Sequence, residues 1–450
     1  MTSRPARPSR RPARPSRRPA RSSTAGRRAL LLPVAVASAL ALALAACGSD
    51  PAADTDTAAA DPDATATTGA GHGFVEGADE LQEPQLRLVA LADGALTALD
   101  PATEQSVTLA EGLDATRLGT DGRYVLASTD DGAVTLLDGG AWTVPHGDHS
   151  HYYLADPRVV AEPGEIDGGD GAGEARIASS ASLTAVAFEG SGTGVVLDGE
   201  ALADGELDER ARVEGLGAEG VLVPLGGLLV ASTATGAAGE GVADAVRVLT
   251  AGGDEVDGAL APCPDLRGAA ATRVGVVVGC SDGAVLVTEG DDGSSAVVER
   301  IPYPAGTAPA DVATAFEQRP GRPALAAVAG TRGAWLLDAR TRAWTLIETP
   351  EPLLRATAVG DSDDTVVGVD ASGRVVVLSP DGLVAQTEPL LAGDLVDGAL
   401  PEGVRLEVDA SRSYVASPST GQVHEIDHAD AARVARSFAL PASLLVETGR

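Results

Sequence analysis

The chain has 450 residues and a formal net charge of −32, and all 33 of its basic residues are arginine. Ten of these arginines precede residue 29, so the rest of the chain sets 23 basic against 65 acidic residues, a charge of about −42. Nucleic-acid binding needs clustered positive charge, and this composition argues against it. A hydrophobic content of 44% suffices for a sizeable core, in one large all-β domain or in several smaller domains.

The N-terminus predicts export and lipid anchoring. The first 28 residues are rich in Arg, Pro and Ser and should be disordered, and an almost unbroken apolar run over residues 29–46 follows them. Positive charge, an apolar run and small residues in this order are typical of a secretory signal. The last residues, Leu-Ala-Ala-Cys47, resemble a bacterial lipobox, in which the cysteine is acylated. We therefore predict an export signal over residues 1–47 with Cys47 as the lipid anchor, and a transmembrane helix is the alternative.

The next stretch is predicted to be a flexible acidic linker over residues 48–83. Its first part is rich in Asp, Ala, Thr, Pro and Gly and has no hydrophobic periodicity, so it should hold the following domain away from the membrane. His72 lies in this linker, between two glycines. We interpret it either as an auxiliary metal ligand or as a histidine without a role.

Residues 84–450 contain a repeated pattern that predicts a β-propeller. A short alternating strand leads to a turn with Gly or Asp, and a second strand follows, which is a hairpin signal because tight turns need positive φ. The hairpins begin near residues 88, 124, 183, 228, 276, 325, 366 and 414. Most intervals are about 36 to 50 residues, as expected for one four-stranded blade. We predict an all-β propeller of eight blades, with seven as the alternative.

The C-terminal segment is predicted to close the ring. Residues 445–450 resemble residues 116–123, which precede the second hairpin and end in a comparable way. We therefore expect the C-terminal segment to form the innermost strand of the first blade. Such closure removes the exposed sheet edges that would promote aggregation.

The one long interval, between the second and third hairpins, contains three of the six histidines of the chain. They are His146, His149 and His151, and they follow residues 141–144, which we predict to be an outer strand. His149 and His151 are two residues apart, so a strand would place both on one face. His146 and Asp148 would come from the preceding turn, with Asp148 as a ligand or as an acceptor that orients an imidazole. We predict a metal site here, and a histidine-rich surface loop is the alternative.

Two cysteines and two further histidines lie in the predicted propeller, away from the histidine run. Cys263 and Cys280 are expected to form a disulfide in an exported protein, with a pair of zinc thiolates as the alternative. The strand pattern does not fix the direction of His424, and exposure is the expectation for both His424 and His428.

Several of these features together resemble the AztD-type zinc metallochaperones. The resemblance is based on the export signal, a propeller of this size, the run from His146 to Tyr153, and the C-terminal block from Val423 to Arg450. It implies that the protein binds zinc and passes it to the solute-binding protein of a zinc ABC transporter. It also implies that the histidine run forms part of the zinc site and that His72 assists.

The sequence does not favour an enzyme. The body has no Gly-x-Ser-x-Gly nucleophile motif, no His-Glu-x-x-His motif and no phosphate-binding loop. The alternative to zinc handling is therefore a lipid-anchored propeller that serves as a scaffold for another envelope protein without binding metal. In either case we expect a monomer.

Overall fold

The computed structural model describes residues 75–146, 149–234 and 241–450, and nearly all of its regular elements are short β-strands. β-branched and other apolar residues in runs of about five, each followed by Gly or Asp, favour such strands over helices. One short helix, α1 (Gly199–Asp204), and two 3₁₀ turns, Pro309–Asp311 and Ala392–Asp394, lie between strands.

The strands are numbered in chain order. The first ten are β1 (Asp79–Leu81), β2 (Arg87–Ala92), β3 (Ala95–Leu99), β4 (Ser106–Ala110), β5 (Arg117–Thr120), β6 (Tyr124–Ser128), β7 (Val134–Asp138), β8 (Ala141–His146), β9 (His149–Leu154) and β10 (Arg158–Ala161). The next twelve are β11 (Ala175–Ser179), β12 (Leu183–Phe188), β13 (Thr193–Asp198), β14 (Glu209–Val213), β15 (Leu222–Leu225), β16 (Leu228–Thr233), β17 (Ala245–Thr250), β18 (Glu255–Pro262), β19 (Ala269–Ala271), β20 (Val276–Cys280), β21 (Gly283–Glu289) and β22 (Ala296–Pro302). The last twelve are β23 (Ala324–Ala329), β24 (Gly333–Asp338), β25 (Ala343–Glu348), β26 (Leu353–Ala358), β27 (Val366–Asp370), β28 (Val375–Ser379), β29 (Gly382–Gln386), β30 (Leu406–Val408), β31 (Ser413–Ser417), β32 (Gln422–Asp427), β33 (Arg433–Phe438) and β34 (Leu444–Thr448).

These strands form eight antiparallel blades. In order around the ring the blades are β34-β2-β3-β4, β5-β6-β7-β10, β11 to β14, β15 to β18, β19 to β22, β23 to β25, β26 to β29 and β30 to β33. Each predicted hairpin start lies within one residue of the start of β2, β6, β12, β16, β20, β23, β27 or β31. The prediction of an all-β propeller with eight blades is therefore confirmed.

The C-terminal strand closes the ring as predicted. β34 pairs antiparallel with β2, with Val446 opposite Val89, and so takes the innermost position of blade 1. Val446 is buried against Leu118 and Val125 of blade 2. Blade 1 thus shares one apolar core with blade 2 and another with blade 8, and β34 pairs its inner edge.

The innermost part of blade 6 is irregular. Its sheet has three strands, and Glu317 and Gln318 bridge Ala326 of the same blade and Ala358 of blade 7. Glu317 lines a cavity of about 210 Å³ in the central channel. The side chain is exposed to the channel, but the channel walls surround it on the other sides. This partial loss of solvation raises the pKa of its carboxyl group.

A small sheet stands apart from the eight blades and corrects one prediction. Residues 141–144 were expected to be the outer strand of blade 2, but β10 takes that place. β8 instead joins β9 and β1 in a three-stranded sheet, and β1 lies within the segment predicted to be linker. Gly140 explains the change of direction, because its φ is +72° and a Cβ there would lie 2.4 Å from the Ala155 carbonyl oxygen. We call β1, β8 and β9 the small sheet.

Cys263 and Cys280 form a disulfide, as expected. Both are buried in the core that blades 4 and 5 share, and the bond closes a loop with a sequence separation of 17. Within the described residues no helix is long and apolar enough to span a bilayer. Cys47, the predicted lipid anchor, lies outside the described residues.

Candidate metal-binding site

The small sheet positions the histidines of the long interval. β8 and β9 form a hairpin in which His146 is opposite His149 and Val144 is opposite His151. Because side chains alternate along β9, His149 and His151 project from the same face, as the sequence predicts. His146 ends β8 rather than lying in the turn where we expected it.

The two imidazoles of β9 are arranged as a pair. The Nε2 atoms of His149 and His151 are 3.1 Å apart, and the ring centroids are 4.8 Å apart. Two nitrogens bound to one tetrahedral zinc ion at about 2.05 Å would be about 3.3 Å apart. The pair therefore needs little rearrangement to act as two ligands of one zinc ion.

Glu80 of β1 orients one ring of this pair. Its Oε1 atom lies 2.6 Å from Nδ1 of His151, and β1 reaches this place because Glu80 pairs with Tyr153 across the small sheet. A carboxylate that accepts from Nδ1 leaves the Nε2 lone pair directed at the partner ring, which is the tautomer that a metal ligand requires. Glu80 is 71 positions from His151. No local pattern distinguishes it among 65 acidic residues, so sequence reasoning missed it.

Aromatic side chains connect the histidine pair to blade 2. The ring of Tyr153 stacks on His151 at 6.2 Å and on Trp142 at 5.1 Å between centroids. The guanidinium of Arg123 lies 3.9 Å from the Trp142 ring and donates to Asp138 of blade 2 at 2.7 Å. Burial, with the nearby charge of Glu80, raises the pKa of Tyr153. Stacked aromatic groups and a guanidinium therefore hold β9, the strand that carries the histidines, against blade 2 of the propeller.

The structure brings together only part of the predicted ligand set. Asp148 and His72 lie outside the described residues. Within the described ranges, no three His, Cys, Asp or Glu side chains are grouped so that they hold a metal ion together. The described residues thus supply two candidate ligands, His149 and His151, and one orienting carboxylate.

His424 and His428 are buried, and the expectation that both are exposed is wrong. Each lies in blade 8 or directly after β32, at 7% and 6% exposure. Nδ1 of His424 is 2.8 Å from the Ser437 hydroxyl, and Nδ1 of His428 is 3.0 Å from the Ser413 hydroxyl. Burial lowers the pKa of both imidazoles. Because each buried imidazole has a serine hydroxyl partner, both histidines are explained as structural residues of blade 8.

The fold places the protein among eight-bladed β-propellers, here with an additional three-stranded sheet. No protein-family model matches the chain. Its structure is similar to that of AztD from Citrobacter koseri, with a TM-score of 0.65 and 18% identity over 81% of this chain and 97% of that one. The apo form of the same protein gives a TM-score of 0.64 and 17% identity over the same shares. The resemblance to AztD expected from the sequence is thus confirmed at the level of the fold.

Proposed function

We propose that the protein is an extracytoplasmic zinc-binding lipoprotein, a metallochaperone that delivers zinc to the solute-binding protein of an ABC transporter. The observation that carries the proposal is the pair of Nε2 atoms of His149 and His151 at 3.1 Å, with Glu80 on Nδ1 of one ring. A site that fixes one tautomer and places two imidazoles at the separation of zinc ligands is suited to that ion.

The remaining ligands in this proposal come from the same hairpin and from the segment before it. The register places His146 opposite His149, so we propose that His146 and Asp148 complete the zinc site. His72 would add a ligand during uptake or release. His149 is exposed, and an exposed ligand suits a protein that must release its zinc to a partner.

The rest of the molecule has supporting roles in the proposal. Cys47 anchors the chain to the outer face of the bacterial cytoplasmic membrane, and the linker keeps the propeller within reach of the transporter. The charge of about −42 raises the local concentration of cations near the surface. We propose that the protein acts as a monomer and catalyses no reaction.

Zinc titration of the purified protein in competition with a chelator tests this function. We expect at least one zinc ion per chain with sub-micromolar affinity. Replacing His149 and His151 together by Ala should weaken binding by more than 100-fold. Glu80→Gln should weaken it by about 10- to 100-fold, because the carboxylate on Nδ1 is lost.

Matched variants make the result specific. Glu83→Gln changes an exposed carboxylate close to Glu80, and His428→Asn changes a histidine remote from the pair in sequence. Both should bind zinc like the parent protein. Unchanged zinc binding in the double histidine variant would refute the site, and a parent protein without zinc affinity would leave the membrane-anchored scaffold as the better explanation.

A further inference from the structure

The arginines of the described ranges fall into two groups. Eighteen of the 23 have a side-chain nitrogen within 4.0 Å of a carboxylate oxygen. The five others are Arg273, Arg319, Arg322, Arg355 and Arg405. All five lie in or beside the innermost segments of blades 5 to 8, although acidic residues outnumber arginines throughout the body.

Two of the five have partners of another kind. Arg355 donates hydrogen bonds to the backbone carbonyls of Leu354, Pro401 and Val404, at 2.8 to 2.9 Å. Arg405 lines the channel cavity together with Glu317, whose charge attracts it. The three arginines that remain are neighbours in the turns of blades 5 and 6.

Arg319 is the buried member of this group. The residue is 9% exposed, and its side chain makes no hydrogen bond or ion pair with any described residue. Its backbone is fixed, because its amide donates to the Ala358 carbonyl of blade 7 at 2.8 Å. Its guanidinium nitrogens are not sealed from solvent, so a ligand can reach this mostly buried cation, which lacks a counter-ion.

Arg322 and Arg273 are held beside the same turn. Gly360, with φ +67°, lets blade 7 approach, because a Cβ there would lie 2.5 Å from Cβ of Arg322. Arg273 comes from blade 5 and donates from Nε to the Gly321 carbonyl at 3.3 Å. Burial, together with the neighbouring positive charges, lowers the pKa of Arg319 and Arg322. Blades 5 and 6 thus bring three cations together, and blade 7 packs beside them.

Two carboxylates act on this group without forming an ion pair with it. Asp361 and Asp409 attract Arg319, but neither is within 4.0 Å of it. Asp361 accepts from the amide of Thr365 at 2.9 Å, and Asp409 accepts from the amide of Ser411 at 2.6 Å. Asp361 and Asp409 thus act on Arg319 only from a distance, and none of the three arginines forms an ion pair with a described carboxylate.

We propose that Arg273, Arg319 and Arg322 form a binding site for a small oxyanion, a carboxylate or phosphate group. Guanidinium groups present donors in a planar fork that matches the oxygens of such anions. The acidic body repels extended polyanions, so the ligand is a small anion.

The site lies on the same side of the ring as the small sheet. Arg319 is level with the end of β26, and the blades repeat one strand order, so the ends of their innermost strands meet at one mouth of the channel. Thr143 of the small sheet donates to Gly449, directly after the innermost strand of blade 1, at this mouth. The proposal does not depend on zinc binding.

Thermal unfolding of the full protein in the presence of inorganic phosphate or glutarate, at constant ionic strength set with sodium chloride, tests the site. At about 100 times the dissociation constant, the bound anion should raise Tm by about 3 °C. Arg319→Met should abolish this shift, and without anion its Tm should not fall below that of the parent, because the arginine side chain makes no ion pair or hydrogen bond that the substitution would remove.

Arg340→Met serves as the control, since Arg340 is exposed and lies beside Asp338. It should keep the full anion-dependent shift. If Arg319→Met does not fold, Arg322→Met serves instead. It should lower the affinity for the anion by about 10-fold in calorimetric titration. A shift with either anion or with both supports the site. A shift with one anion alone identifies the ligand group as phosphate or carboxylate. The absence of any shift, or an equal shift in Arg319→Met, overturns the proposal.

Discussion

The ring and the small sheet of this protein are both antiparallel, but they are stabilised in different ways. Each blade shares a buried core of Val, Leu and Ala with its neighbours, and β34 joins the two ends of the ring. The small sheet has three strands and is attached through a few specific groups, chiefly Trp142, Tyr153 and Arg123. Changes in the ring should therefore affect the stability of the whole molecule, whereas changes in the small sheet should affect the histidine pair.

The largest expected effect comes from a matched pair of valines. Val446 is 3% exposed in the ring-closing strand, and Val144 is 39% exposed in the small sheet. Val446→Asp buries a charge without a partner and should lower the free energy of unfolding by about 4 kcal/mol. Val144→Asp should change it by less than about 0.5 kcal/mol. Denaturant unfolding measures both, and equal losses would contradict the division into a global ring and a local sheet.

A matched pair of tryptophans should separate stability from metal binding. Trp142→Ala removes the stack under Tyr153 and the contact with Arg123, so the histidine strand loosens and zinc affinity should fall about 10-fold. Trp344 packs on Tyr303 and Trp335 in blade 6, remote in sequence from the histidines. Trp344→Ala should lower the free energy of unfolding by about 3 kcal/mol and leave zinc affinity unchanged. Zinc titration and denaturant unfolding of both variants test this, and a loss of zinc affinity in Trp344→Ala would argue against it.

The smallest expected effect is on the pH dependence of Tm, and it involves only residues of the propeller. Burial lowers the pKa of His428, so the unfolded chain takes up a proton first as the pH falls. The stability that the neutral imidazole contributes is then lost below about pH 6.5. Asparagine at this position should make the decline of Tm below pH 6.5 shallower than in the parent.

Glu447 should show the opposite sign. Burial raises its pKa to about 7 despite its ion pair with Arg450, so the folded protein retains a proton that the unfolded chain loses. Stability from this group is present at low pH and is lost as the pH rises from about 4.5 to about 7. Glu447→Gln should therefore flatten the decline of Tm on that side. A Tm profile that neither variant alters would refute both assignments.

The sequence by itself determined the ring. Alternation of side chains and turn residues with positive φ are local properties, and they located all eight hairpins to within one residue. The similarity of the last residues to those before the second hairpin predicted the closing strand β34. The same local rule placed His149 and His151 on one face of a strand.

Only the tertiary structure decided which groups meet across long separations. Glu80 reaches His151 through strand pairing over 71 positions, and β10 displaces β8 from blade 2 because Gly140 redirects the chain. The burial of His424 and the meeting of Arg319 with the turns of neighbouring blades likewise depend on how the blades pack. Local patterns carry the period of a strand but not the identity of its distant neighbours, and those neighbours set burial, tautomer and charge at both proposed sites.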